Sequence, residues 1–244
     1  MRDLVRWHDL ECGGYDVDLP LWRELAAEAG GPVLDVGAGT GRTSLDLARR
    51  GAEVTALDVE EPLLAELGRR ARAQRLTVQT VLGDARELLD ILATSARFAA
   101  IIVPMQTIQL LGDEEGRRRF LAGVRAHLRP GGLFAAALAD ALEGYDSATA
   151  EAPMPDIIDH GGTVYSSRPV AVLPAASGTM IERVREVVSP DGRRTKTEHR
   201  IVLDALSAET LYEECAATGL APEPARLVPA TTEYVGSAVV VCRG

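Results

Sequence analysis

A chain of 244 residues, 46% hydrophobic and 25% charged, is long enough for one large domain, or one domain with an insertion, and has an ordinary globular composition. Thirty-six acidic against 26 basic residues leave a formal net charge of −10. That disfavours a nucleic-acid partner, because such binders carry a basic surface that neutralises phosphates. Arg117-Arg118-Arg119 and Arg193-Arg194 are short exceptions that read as solvated helix and turn charges. Apolar runs such as 98–105 fall well short of the roughly 20 residues that span a bilayer. The N-terminus shows no apolar signal region, so no membrane partner and a cytoplasmic location are expected. Three widely spaced cysteines (Cys12, Cys215, Cys242) and four scattered histidines form no disulfide or metal-ligand pattern, and no metal site is predicted.

The first 30 residues read as a cover segment containing Trp7, Tyr15 and Trp22, with a short helix over 21–29 ended by Gly30-Gly31. Residues 31–244 read as the main domain. A strand over 33–36 leads through a glycine loop to a helix over 43–50, and a second strand over 54–57 ends at Asp58. Pro62 opens a helix to about Ala73. A third strand over 76–82 closes at Gly83-Asp84, and the unbroken apolar run 98–103 is a strand buried on both faces. Asp113 caps a helix to Leu128, Pro130-Gly131-Gly132 ends it, and a fifth strand covers 133–139. Alternation of strands and helices implies parallel pairing with right-handed crossovers.

After the fifth strand the pattern changes. Strands over 163–173, 179–189 and 196–204 are joined by short turns, one of them Ser189-Pro190-Asp191-Gly192, which implies a small antiparallel sheet inserted at about 163–205. Ser207 caps a last helix that Gly219 ends, and closing strands follow near 225–228 and 237–242.

The informative segment is Val33-Leu34-Asp35-Val36-Gly37-Ala38-Gly39-Thr40-Gly41-Arg42. A strand, Gly-x-Gly-x-Gly and a helix place bare backbone amides where a ligand approaches closely. A dinucleotide loop wants its third glycine at position 42, which is Arg here, and Asp35 would repel a pyrophosphate while suiting a cationic amino group. A nicotinamide oxidoreductase is therefore disfavoured. Asp58 is placed to accept both hydroxyls of a ribose, and Asp84 to accept from the exocyclic amine of an adenine. All three acids close consecutive strands on the carboxyl edge, where open α/β sheets bind ligands.

Taken together, 33–42, 54–59, 82–85 and 127–134 resemble the successive motifs of the class I S-adenosylmethionine-dependent methyltransferases, small-molecule type. The resemblance covers roughly 32–139. It implies an α/β fold with a Rossmann-like seven-stranded, mostly parallel sheet whose last strand is antiparallel. It implies S-adenosyl-L-methionine as cofactor, with S-adenosyl-L-homocysteine as product. By matching motif, Gly37, Gly39 and Gly41 would pass the methionine part and Asp35 would support its ammonium. Asp58 would hold the ribose, Val59 would pack on adenine, and Asp84 with the Ala85 amide would read the adenine edge. Val103 would lie beside the sulfonium, and Tyr15 resembles the aromatic that closes over the methionine end.

The expected reaction is methyl transfer to an oxygen or nitrogen of a small molecule. The segment Val103-Pro104-Met105-Gln106-Thr107-Ile108-Gln109 departs from the motif of nucleic-acid amino-methylating enzymes, and no Pro-Cys nucleophile is present. No general base is identified. Gln106, Gln109, Asp140, Glu143, Tyr145, His8 and His160 are candidates for acceptor contacts; His127 reads as a helix-end histidine. A non-catalytic cofactor-binding or scaffold protein is the alternative, and a homodimer through the inserted sheet is a further expectation.

Overall fold

The computed structural model describes residues 2–139, 142, 144–150, 153–231 and 234–244. In chain order, α1 (Arg2–Cys12) and α2 (Leu19–Ala29) lead into β1 (Val33–Val36), α3 (Arg42–Arg49), β2 (Val54–Asp58) and α4 (Glu61–Ala73). Then come β3 (Val78–Leu82), α5 (Leu88–Ile91), β4 (Phe98–Val103), α6 (Glu114–His127) and β5 (Leu128–Ala139). Five strands follow: β6 (Tyr145–Asp146), β7 (Asp156–His160), β8 (Thr163–Ala175), β9 (Gly178–Val188) and β10 (Arg194–Asp204). The chain closes with α7 (Ala208–Ala217), β11 (Ala221–Val228) and β12 (Ser237–Arg243). Two compact units result, one from residues 1–15 and 141–205, the other from 16–140 and 206–244.

The larger unit is the seven-stranded sheet, ordered β11-β12-β5-β4-β1-β2-β3. β4, β1, β2 and β3 pair in parallel, as do β4 and β5, while β12 runs antiparallel to β5 and to β11. The expected architecture is the one observed. Every position of β1, β2 and β4 is buried, because crossover helices cover both faces of a central parallel strand. Both ends of the sheet are less enclosed: β3 has only half-buried and exposed residues, and β11 carries Pro222 and Pro224 with a bulge between Glu223 and Arg226. Prolines are tolerated there because an edge strand has unpaired amide positions. Asp113 and Ser207 cap α6 and α7 through the amides of Gly116 and Thr210, both at 3.0 Å.

Three details depart from the sequence reading. The strand expected at 133 begins at Leu128, and Pro130-Gly131-Gly132 lies within it as an irregularity. The chain end explains this: Gly131 donates to the Gly244 carbonyl at 2.9 Å, and Gly244 donates back to Gly132 at the same distance. Helix α1 and the short strands β6 and β7 have no counterpart in that reading. Thirdly, Cys215 on α7 and Cys242 on β12, unpaired by sequence spacing, meet in the core. A thiol–thiol hydrogen bond raises the first and lowers the second.

In the smaller unit, β10, β9, β8 and β6 form an antiparallel sheet with β7 also on β8, and α1 packs on β8 and β7. A charged cluster joins helix to sheet. Glu11 accepts from Arg185 at 2.8 and 2.7 Å and from the Ser167 hydroxyl at 2.6 Å. Arg183 donates to that hydroxyl and to Asp156, while Trp7 packs edge-on to Tyr165. Burial works against the ionised Glu11, yet hydrogen bonds from Arg185 and Ser167 outweigh it and hold the carboxyl below its usual range. A carboxyl depressed in the folded state stabilises above its unfolded pKa and loses that contribution as pH falls. Thermal melts should therefore show a smaller destabilisation on acidification below about pH 4.5 in Glu11→Gln than in wild type, and Glu11→Gln should be the less stable protein at pH 7.

Candidate functional site

The parallel strands β1 and β2 end side by side, and the loop after β1 is fastened to the end of β2. Gly37 and Ala38 both donate to the Leu57 carbonyl, at 2.8 and 3.0 Å, and the Gly39 amide donates to Asp58 Oδ2 at 2.7 Å. Asp58 Oδ1 accepts from the Glu60 amide at 2.9 Å, and the Asp58 carbonyl accepts from the Gly83 amide at 3.0 Å. One residue thereby ties the glycine loop, the start of α4 and the end of β3 together. A carboxylate has about four acceptor positions. Two are used, so hydroxyls of a ribose can still be received on an acid that is 8% exposed.

The loop needs glycine for two reasons. Gly37, Gly39 and Gly41 have φ of 71°, 55° and 94°, a region that side chains rarely adopt. A Cβ on Gly37 would also lie 2.5 Å from Thr107 Cγ2, and one on Gly41 2.7 Å from Leu67 Cγ. Gly37 therefore makes room for the segment after β4 as well as for a ligand.

Asp35 sits within β1, paired in register with Ala56, and is 1% exposed. Its Oδ2 accepts from the Ser44 hydroxyl on α3 at 2.6 Å, while its Oδ1 has no hydrogen-bond partner. Burial pushes this carboxyl up to about 7; the Ser44 hydrogen bond and Arg42 oppose the shift, and Asp58 and Asp18 add to it. An orphaned buried oxygen is costly unless a donor arrives. A primary ammonium supplies both the donor and the charge that an ionised Asp35 lacks, so the observed site fits the ammonium of the implied cofactor.

Val59 is 65% exposed beside Asp58, and Leu82, opposite Asp58 in the β2–β3 register, is 53% exposed. Exposed apolar side chains flanking Asp58 offer a face for a planar ring. Asp84 caps the short 3₁₀ turn Ala85–Glu87 through the Arg86 amide at 2.9 Å. The Arg86 guanidinium also pairs with it and holds the carboxyl below the usual range. Ala85 is buried. Val103 ends β4 and is buried in the core, and the chain continues through the buried Pro104. Met105, next in line, is one of two non-glycine residues with positive φ (56°) among those described. Its strained backbone turns the chain into the 3₁₀ segment Thr107–Leu110.

The remaining cofactor and acceptor candidates lie at several places in the chain. Gln109 is buried, and its Oε1 accepts from the Ala139 amide at 2.9 Å. Gln106 is half-buried just before Thr107. Asp140 and Glu143 lie outside the described residues. Tyr15, His8, Tyr145 and His160 belong to the smaller unit. His127 is buried, its Nδ1 on the Ala96 carbonyl at 3.1 Å. Conversely, the sequence reading passed over Ser44, Thr107, Leu82 and Asp18. Asp18, 2% exposed, receives the Trp22 indole at 2.7 Å and Arg42 Nη2 at 2.9 Å. The one available signal was its position before Leu19-Pro20 at a helix start.

Comparison with known proteins places this geometry. Residues 33–132 match the family model described as a methyltransferase domain. The chain is 37% identical over 103 residues to the cypemycin N-terminal methyltransferase of a Streptomyces species, covering 42% of this chain and 40% of that enzyme. Among solved structures, a sugar N-methyltransferase from a Streptoalloteichus species superposes with a TM-score of 0.72 at 18% identity, over all of this chain and 93% of that one. An amino pentose methyltransferase of Micromonospora echinaspora, solved with S-adenosylmethionine bound, gives 0.69 at 19% identity, over 95% and 93%. The structural likenesses cover the fold from end to end, whereas the curated relative is matched over less than half its length. The class I methyltransferase resemblance drawn from the motifs holds for the fold and for this segment.

The buried Asp35 generates a stability prediction. Its folded pKa is raised above the unfolded value, so its contribution is intact below about pH 4 and declines as pH rises toward 7, staying flat beyond. Asp35→Asn should thus equal wild type near pH 4 and exceed it above pH 7 by up to about 4 kcal/mol, the linkage value of a shift of about three units. Chemical denaturation at both pH values checks the sign.

Proposed function

We propose, from a methyltransferase domain at residues 33–132 built on a Rossmann-like sheet, that the chain is an S-adenosylmethionine-dependent enzyme that methylates an oxygen or nitrogen of a small molecule. The observation that carries the reading is the glycine loop locked by Asp58 beside the orphaned Asp35 oxygen. Asp35 meets the ammonium, the remaining lone pairs of Asp58 take the ribose hydroxyls, and Val59 with Leu82 receive the adenine. Asp84 and the Ala85 amide lie at its edge.

The cofactor supplies an electrophilic methyl on a sulfonium, whose leaving group departs as neutral S-adenosylhomocysteine. The protein has little bond chemistry to perform: holding the acceptor in line and excluding water account for most of the acceleration. A base is required only where the acceptor sheds a proton before attack. Gln106, between the end of β4 and the 3₁₀ segment Thr107–Leu110, offers an amide to orient an acceptor. The names of the similar proteins, an N-terminal methyltransferase and two amino-sugar or sugar methyltransferases, support a natural-product or peptide acceptor over a nucleic acid. The net charge of −10 supports the same reading. No helix among the described residues is long and apolar enough to cross a membrane.

Titration calorimetry with S-adenosylmethionine and S-adenosylhomocysteine tests the proposal. Wild type should bind both saturably, and Asp58→Ala should weaken both by at least about tenfold, the worth of one charge-assisted hydrogen bond, while keeping a cooperative melt. Unchanged affinity in that variant would remove Asp58 from the site. Binding without transfer of a labelled methyl group to any amine or hydroxyl acceptor would favour a non-catalytic cofactor-binding protein.

A further inference from the structure

The inserted sheet has one long open edge. β10 stands at the end of the order β10-β9-β8-β6, and among the described residues no strand pairs with its outer side. It keeps an unbroken antiparallel register with β9 from Arg194↔Val188 to Asp204↔Gly178, without the irregularity that interrupts β8 against β9. It contains neither proline nor glycine, and residues 194–198 are exposed throughout. Other edge strands are blunted: β6 and β7 are short, and β11 carries two prolines. A long, regular edge of unpaired main-chain donors and acceptors is a template for another strand. Its charged side chains share one face. There Arg200 pairs with Glu182 at 3.1 Å and with Glu198 at 3.0 Å, while Arg194 and Lys196 both reach Glu186 at 3.4 Å. Counted outward from His199, Glu198 mirrors Arg200 and Arg194 mirrors Asp204: opposite charges stand at equal distances from the centre.

We propose that β10 is a self-pairing edge: two copies of this chain join antiparallel about His199, with Glu198 of each opposite Arg200 of the other and Arg194 opposite Asp204. This narrows a homodimer through the inserted sheet to one strand and one register, and it does not depend on the cofactor reading. A two-fold axis through the paired strands makes every such contact occur twice. Opposite charges directly across antiparallel strands stabilise the pair, and like charges destabilise it. Neighbouring registers lose this match. Centred on residue 198, Glu198 meets Glu198 and Lys196 meets Arg200; centred on residue 200, Arg200 meets Arg200. A half-step either way leaves Glu198 and Arg200 with no opposite charge across the seam, and it turns the charged face of one copy to the α1 side of the other. His199 lies on the α1 side, in register with Arg183, and would face its own counterpart. Burial, then Arg185 and Arg183 on β9, hold its imidazole below the usual range, while Glu11 on α1 opposes them. Two neutral rings therefore meet at pH 7, without a like-charge cost.

Sedimentation equilibrium of the full chain over a dilution series tests the proposal. Wild type should reach twice the 26.0 kDa chain mass. Glu198→Arg sets Arg against Arg200 of the second copy, and Arg200→Glu sets Glu against Glu198. Each alone should raise the dimer dissociation constant at least about tenfold, since two symmetric pairs change from attraction to repulsion. Mixed in equal amounts, the two variants restore both opposite-charge pairs and should again form a dimer, of one copy of each, close to wild type in affinity. Damage confined to either chain is not repaired by mixing. Because Arg200→Glu also faces Glu182 within its own sheet, Arg194→Glu, at a side chain 72% exposed, supplies a second reading: it should melt as wild type does and dimerise more weakly. A wild type that stays at the single-chain mass at every concentration overturns the proposal. So does a dimer that none of these reversals weakens, which must use another surface. Variants that melt as wild type does, dimerise weakly alone and fail to pair on mixing overturn the register.

Discussion

The hydrogen bond from the Gly39 amide to the Asp58 carboxylate is the contact on which the site depends. Without it the glycine loop would be three residues of left-handed backbone with little to hold them, since glycine loses more conformational freedom on folding than any other residue. With it, the loop shares a partner with the start of α4 and, through the Asp58 backbone, with the end of β3. The carboxyl edge of three strands becomes one rigid surface. Preorganisation of that kind lowers the entropy a ligand must remove on binding.

Two buried carboxylates show how the surroundings decide what burial does. Glu11 and Asp35 are both desolvated, and desolvation is the largest influence on each. Glu11 faces two guanidinium groups and a hydroxyl, which overcome that penalty and keep it ionised as a link between α1 and the inserted sheet. Asp35 faces one hydroxyl and a guanidinium committed elsewhere, and the penalty wins. The first arrangement is complete and suits a structural joint; the second has a missing partner and suits a ligand.

Much of the larger unit was legible because its signals are local. A fully apolar run marked β4, short mostly apolar stretches marked β1 and β2, Pro62 marked the start of α4, and Asp113 and Ser207 marked helix caps that the structure confirms at the hydrogen-bond level. The extension of β5 back to Leu128 was not legible, because it depends on the chain end, more than 100 residues away, returning to pair with Gly131 and Gly132. Helix α1 escaped notice for a similar reason: its stabilising contacts, Glu11 to Arg185 and Trp7 to Tyr165, join residues more than 150 positions apart.

The sequence by itself determined that strand-end acids and a glycine loop share the carboxyl edge of a parallel sheet, since strand direction and loop position follow from periodicity and spacing. Only the tertiary structure decided which acids are already satisfied. Asp46 is engaged by Arg23, Gln109 by the end of β5, and Arg42, read from sequence only as the wrong residue for a dinucleotide loop, by Asp18. Partner choice among charged side chains depends on distances of a few ångströms between segments far apart in the chain, and no local pattern encodes them. The open valence on Asp35 is a product of that competition.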